Sequence, residues 1–161
     1  MHDPGLRIRK VGPSHIANLI ALASETNLNP WTAQNYLDEL QTPNAVMLVL
    51  EDENARTIGF IVGRVVTSAN DGVFDAEVYN IAVAPKERGK GRGQFLFDSF
   101  MKTCQAHPIS TVWLEVRESN RHAIDFYTRN GFEPVQKRNN FYTDPPEHAI
   151  LMRLLLKKQT A

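Results

Sequence analysis

Nine residues, 85–93 (PKERGKGRG), hold three glycines and four basic side chains. Glycine frees the backbone to turn several N–H groups toward one point, and Lys86, Arg88, Lys90 and Arg92 add positive charge. The combination suits an anion, phosphate above all, although a solvated basic turn accounts for the same residues equally well. A second stretch with chemical content is VWLEV, 112–116, where Glu115 interrupts an apolar strand. A carboxylate there must point into a cleft or be paired, with Arg117 or another base. Tyr127 follows on the inward face of a helical repeat that includes Ala123, Ile124 and Phe126. Glu77 is a further carboxylate near the start of the strand before the glycine loop.

These residues need a scaffold, and the rest of the chain supplies one. Alternation over residues 6–11 predicts a first strand. Pro13 can open a helix whose apolar face is Ile16, Leu19, Ile20 and Ala23. Asn29-Pro30 breaks it, and residues 32–40 read as a second short helix. Strands follow over 45–51, 57–66 and 76–83, separated by the turn-rich stretches DENAR and TSANDG. After the glycine loop, Leu96, Phe97, Phe100, Met101 and Cys104 recur at helical spacing up to His107-Pro108. Residues 111–116 form a compact apolar strand and 120–130 a helix. Gly131 suits the left-handed position after that helix, with Phe132 able to cover its end. Residues 132–140 and 149–156 make a closing strand pair around YTDPPE. The order is β-α-α-β-β-β-α-β-α-β-β, a single mixed α/β domain over residues 1–161.

Composition narrows the classes. Eighteen basic against eighteen acidic residues leave no net charge, which argues against nucleic acid held by a broad basic field. One cysteine, Cys104, excludes an internal disulfide and fits a reducing compartment. Its place in an apolar helical repeat, with no activating base nearby in sequence, reads as core. The five histidines lack ligand spacing, so no metal is expected. MHDPGLRIRK carries no apolar run of the secretory kind, and ILMRLLL is too short to cross a bilayer. A cytoplasmic protein without a membrane or nucleic-acid partner is the expectation.

The loop sits between a strand and a helix, where N–H groups and the positive dipole end favour an anion. A P-loop requires Ser or Thr after the lysine, and Lys90 is followed by Gly91. A Rossmann fingerprint places its third glycine where Gln94 stands, directly after the strand rather than behind the charged stretch 85–88. The pattern V-x-P-x-x-R-G-x-G-x-G followed by an amphipathic helix resembles the acetyl-CoA pyrophosphate loop of the GNAT acetyltransferases. The resemblance covers nearly the whole chain. It is narrowest toward the RimI-type protein N-terminal acetyltransferases, through YNIAVAP (79–85), WLEVRESNRHAIDFYTRNGF (113–132) and RNNFYTDPPEHAILM (138–152).

The resemblance implies a fold with a splayed central strand pair and acetyl-CoA as cosubstrate. It implies that Arg88, Gly89, Gly91 and Gly93 hold the pyrophosphate. Main-chain groups of Ile81 and Val83 would pair with the pantetheine arm, and Asn120 would contact that arm besides capping its helix. For Lys86, Lys90 and Arg92 a solvated face remains an equal reading. Glu115 becomes the base that takes the amine's proton, with Glu77 as the alternative. Tyr127 becomes the proton donor to the leaving thiolate. Trp31, Phe141 and Tyr142 fall on segments that flank the acceptor in the family. Many relatives carry Tyr-Tyr where this chain has Phe141-Tyr142.

The activity implied is direct acetyl transfer in a ternary complex to a protein N-terminus, as RimI-type enzymes modify a ribosomal protein's N-terminal alanine. A small-molecule or lysine amine is the enzymatic alternative, and a non-catalytic acyl-CoA sensor is a third. Glu115 and Tyr127 together argue against the sensor. A monomer or weak dimer is expected.

Overall fold

The computed structural model describes residues 4–26, 31–68 and 72–156. Among these residues, seven strands and four α-helices follow in the expected order. They are β1 (Arg7–Lys10), α1 (Ile16–Glu25), α2 (Ala33–Leu40), β2 (Ala45–Glu51), β3 (Thr57–Thr67), β4 (Phe74–Val83) and α3 (Arg92–Cys104). Then come β5 (Ile109–Arg117), α4 (Arg121–Arg129), β6 (Glu133–Thr143) and β7 (Pro146–Leu155). The strand order in the sheet is β1-β2-β3-β4-β5-β7-β6. This is the mixed α/β sheet expected from the sequence. Asn29 and Pro30 of the expected helix break, and residues 69–71 of the expected turn, lie outside the described residues. No described helix is long and apolar enough to cross a membrane.

The chain groups into two compact units, Met1–Arg64 with Asn80–Ala106, and Val65–Tyr79 with His107–Ala161. In the first, β2 pairs antiparallel with β1 and with β3. The run Val46–Leu50 is buried at every residue, as a strand covered on both faces must be. Leu19, Leu22 and Ala23 bury one stripe of α1, and Leu96, Phe97, Phe100 and Cys104 bury one stripe of α3. Thr32 caps α2 by accepting the Asn35 N–H at 3.1 Å, while Asn35 Oδ1 accepts the Thr32 N–H at 2.8 Å. Gly59 of β3 is required by space. A Cβ there would lie 2.9 Å from Leu96 Cδ1 and 3.0 Å from the Ala82 carbonyl oxygen. That close approach seats α3 and the end of β4.

In the second unit, β4 and β5 pair in parallel from Phe74↔Ile109 to Val78↔Leu114. The register ends there, although β4 runs on to Val83 and β5 to Arg117. β7 pairs antiparallel with both β5 and β6. Asn120 caps α4, its Oδ1 accepting the Ala123 N–H at 3.2 Å. Gly131 takes the left-handed position after α4 at φ 95°, and Phe132 is buried against the helix end. The Phe132 N–H returns to the Tyr127 carbonyl at 3.0 Å, which fixes the turn that carries Tyr127. Both strands of the closing pair are longer than the sequence predicts, leaving Asp144 and Pro145 as the turn.

Candidate functional site

The glycine loop belongs to the first unit. The Ala84 N–H donates to the Ile58 carbonyl at 2.9 Å and anchors the end of β4. Pro85–Glu87 makes one 3-10 turn and Arg88 is extended. Gly89 and Gly91 take φ values of +77° and +78°, which side-chain-bearing residues rarely adopt. A Cβ at either would meet nothing within 4 Å. Conformation therefore asks for glycine here, and any added side chain would project into open space. Gly91 is the N-cap of α3, which has no side-chain cap and no acidic residue in its first turn. The helix thus presents N–H groups and a positive dipole end that its own side chains do not neutralise, a cradle that fits pyrophosphate.

The basic residues of the loop divide. Lys86, Arg88 and Lys90 are exposed, and Lys90 lies 3.2 Å from Glu87. Arg92 departs from the solvated reading, being only 8% exposed. Its guanidinium folds back to within 3.6 Å of Glu87 and 3.5 Å of the Lys90 carbonyl, so it braces the loop from inside. On β4, Asn80 and Ala82 are buried while Ile81 and Val83 are half-buried. Gly93 falls in the first turn of α3.

Glu115, on β5, belongs to the second unit. Its side chain is 27% exposed, and Oε1 lies 3.8 Å from Arg138 Nη1. Oε2 is buried without a hydrogen-bond partner. Burial raises its pKa above the usual carboxylate value; Arg138 opposes the rise and the Glu77 carboxylate adds to it. Glu77 itself accepts a 2.6 Å hydrogen bond from the Tyr79 hydroxyl. Of the two carboxylates, Glu115 is the one with a buried oxygen that has no hydrogen-bond partner. The pairing of Glu115 with Arg117 that the sequence allowed does not occur. Arg117 instead donates to the carbonyls of Asp144 and Pro145, each at 2.9 Å, and pairs with Glu147 at 3.3 Å.

Two phenols are linked electrostatically to this carboxylate, Tyr142 directly and Tyr127 through Tyr142. Tyr142 lies under the Arg117 guanidinium, 4.3 Å from ring centroid to Cζ. Its pKa is pushed up to about 12, by burial first and then by Glu115. Tyr127 is buried, with ring centroids of Phe126 and Phe132 at 5.5 and 5.6 Å. Burial, and then Tyr142, pushes its phenol above the ordinary value, so it stays protonated. Phe141 is 44% exposed, with its ring 5.1 Å from that of Tyr142. Trp31 lies in the first unit, half-buried and 5.2 Å from the buried Tyr36 ring. Burial raises the Cys104 thiol to about 12, which leaves no thiolate nucleophile there.

The elevated Glu115 pKa has a consequence for stability. The folded state holds this proton more tightly than the unfolded chain does. Its contribution is present below the unfolded carboxylate pKa and lost as pH rises through the higher folded value. At neutral pH the ionised group is therefore a cost. Glu115→Gln should melt at a higher temperature than the parent at pH 7, with the gap closing toward pH 4. Thermal melts across that range check it; a gap independent of pH contradicts the sign.

The chain matches the acetyltransferase (GNAT) family over residues 16–132. It is 30% identical, over 152 residues, to a [ribosomal protein bS18]-alanine N-acetyltransferase from Haemophilus influenzae, covering 92% of this chain and 98% of the relative. The crystal structure of the ribosomal-protein-S18-alanine N-acetyltransferase from Escherichia coli superposes with a TM-score of 0.80 at 26% identity, covering 96% of each chain. Arabidopsis thaliana NAA60, solved in complex with acetyl-CoA, is alike in fold, with a TM-score of 0.82 at 18% identity over 94% of this chain and 98% of that one.

Proposed function

The chain belongs to the acetyltransferase (GNAT) family and is an N-acetyltransferase, and from that premise we propose that it moves acetyl from acetyl-CoA to the N-terminal α-amine of a protein, an alanine-first ribosomal protein being the favoured acceptor. The near-complete overlap with the Haemophilus influenzae alanine N-acetyltransferase supports the acceptor. The observation that carries the chemistry is the buried, unpartnered Glu115 Oε2 in one electrostatic cluster with Tyr142, which in turn reaches Tyr127.

Residues 1–161 act as one catalytic domain. Backbone N–H groups of Gly89, Gly91 and Gly93, with the Arg88 guanidinium, hold the pyrophosphate. Main-chain groups of Ile81 and Val83 hold the pantetheine arm. The cap on α4 uses only Oδ1 of Asn120, leaving its amide nitrogen to donate to the same arm. The acceptor nitrogen attacks the thioester carbonyl carbon, forming C–N as C–S breaks. Glu115 takes the proton that the amine sheds, and its raised pKa makes it a better base than an ordinary carboxylate. Tyr127 donates its hydroxyl proton to the departing sulfur. Trp31, Phe141 and Tyr142 contact the acceptor.

An α-amine has a pKa near ~8 against ~10.4 for lysine, so its neutral fraction at one pH is larger by about two powers of ten. The test presents one peptide in two forms, a free alanine N-terminus without lysine and a blocked N-terminus with an internal lysine. The free N-terminus should be preferred in kcat/KM by roughly 10²-fold. Equal values would overturn the N-terminal assignment in favour of a general amine acetyltransferase.

A further inference from the structure

Strand β6 does not keep simple register with β7. Between the pairs Arg138↔Ala149 and Tyr142↔Glu147, β6 spends four residue steps where β7 spends two. The surplus forms a bulge containing Asn140, whose φ of 55° lies in the left-handed region. At ~3.4 Å per residue, this brings Arg138 and Tyr142 to about 7 Å apart along the sheet instead of roughly 14 Å. Both side chains then bear on one carboxylate. Arg138 Nη1 is 3.8 Å from Glu115 Oε1, and Glu115 acts electrostatically on the Tyr142 phenol. The bulge is what gathers Glu115's cationic and phenolic neighbours.

One side chain opposite the surplus pins it. His148 stands on β7 between the paired residues Glu147 and Ala149. The Asn140 N–H donates to His148 Nδ1 at 2.8 Å. A backbone N–H can only donate, so Nδ1 must carry its lone pair and the ring proton sits on Nε2. Asparagine visits the left-handed region more readily than most residues, and this hydrogen bond holds the Asn140 N–H in that conformation. A contact between residues eight apart, across a bulge, has no signature in either hydrophobic period.

We propose that His148 is a positioning residue for acetyl transfer, its unprotonated Nδ1 latching the β6 bulge and thereby setting Arg138 and Tyr142 at Glu115. The proposal rests on the reading of Glu115 as the base. Two variants separate the latch from mere packing. His148→Leu keeps bulk and removes the acceptor, whereas His148→Asn places an amide oxygen near the position of Nδ1.

Two readouts are taken on the full chain: amide hydrogen exchange at Asn140, and kinetics with an alanine-first peptide and acetyl-CoA varied separately. In His148→Leu, Asn140 should exchange at least about tenfold faster, because its N–H loses its partner. The same variant should lose about tenfold or more in kcat, as misplaced groups do, with KM for acetyl-CoA unchanged. His148→Asn should restore most of both. Unchanged exchange in the Leu variant overturns the latch whatever the acceptor. Faster exchange with unchanged kinetics, or an Asn variant as impaired as Leu, overturns the positioning role. A parent inactive on the peptide, with exchange behaving as expected, overturns the acceptor reading and supports the latch.

Discussion

Gly91→Asp is expected to abolish CoA binding in a protein that still folds. The substitution carries the backbone strain of a left-handed position but no steric clash. Nothing lies within 4 Å of the Cβ it adds, and aspartate tolerates the left-handed region better than most residues. Its carboxylate would sit at the N-cap of α3, which now has no side-chain cap and no first-turn acid. A carboxylate there competes with a bound anion for the positive end of the helix. The N–H groups at that end are the donors a pyrophosphate needs. Losing two charge-assisted hydrogen bonds at ~1.5–3 kcal/mol each removes at least about 10²-fold in affinity, before repulsion between the anions is counted. Titration calorimetry with CoA, together with a thermal melt, reads both sides. Gly91→Ala is the control, adding the strained conformation without the charge, and should weaken the fold more than the Asp variant while binding CoA better. A folded Asp variant with parental affinity would remove the loop from the cofactor site.

What was legible in the sequence follows from how much burial each element carries. The bounds of β2 are those expected, because its apolar run is continuous and charged or turn-forming residues close it at both ends. The stripe Leu96, Phe97, Phe100 and Cys104 announces α3 in the same way, and all four are buried. β6 is the opposite case. All its residues but Tyr142 are exposed, so no alternation marks its end at Thr143, and the polar stretch YTDPPE (142–147) reads as the turn. The site divides along the same line. Gly89, Gly91, Glu115 and Tyr127 stand out through conformational or burial anomalies that single residues display. Arg117 was considered only as a partner of Glu115, and Arg138 has no local signal at all, because its place beside Glu115 comes from pairing across β5, β6 and β7. The Arg138 contact depends on a register next to the bulge, and no local pattern encodes it. Arg92 shows the same limit on a shorter scale: a basic residue in a basic loop looks solvated until Glu87 is seen to draw it inward.

The other large effects belong to Tyr127 and Glu115, and pH separates their roles. Tyr127→Phe keeps the ring that packs against Phe126 and Phe132 and removes only the hydroxyl. CoA affinity and melting temperature should therefore hold, while kcat falls by about 10²-fold or more, as for other general acids. Glu115→Gln should cost a comparable factor near neutrality, where most of an α-amine is protonated and a base must remove its excess proton. Raising the pH through ~8 supplies neutral amine from solution, so the Gln defect should shrink across that range. The Tyr127→Phe defect should not shrink, because the leaving sulfur gains no donor when the amine is neutral. Burial holds the Tyr127 phenol protonated throughout the range, so its own titration does not intrude. The measurement is a pH–rate profile of parent and both variants on an alanine-first peptide. Parallel profiles for the two variants would contradict the separation into base and acid. Glu77→Gln completes the set. Its carboxylate is already engaged by the Tyr79 hydroxyl, so the variant should retain most activity. Full activity in Glu115→Gln with collapse in Glu77→Gln would instead move the base to β4, and with it the direction from which the amine is deprotonated.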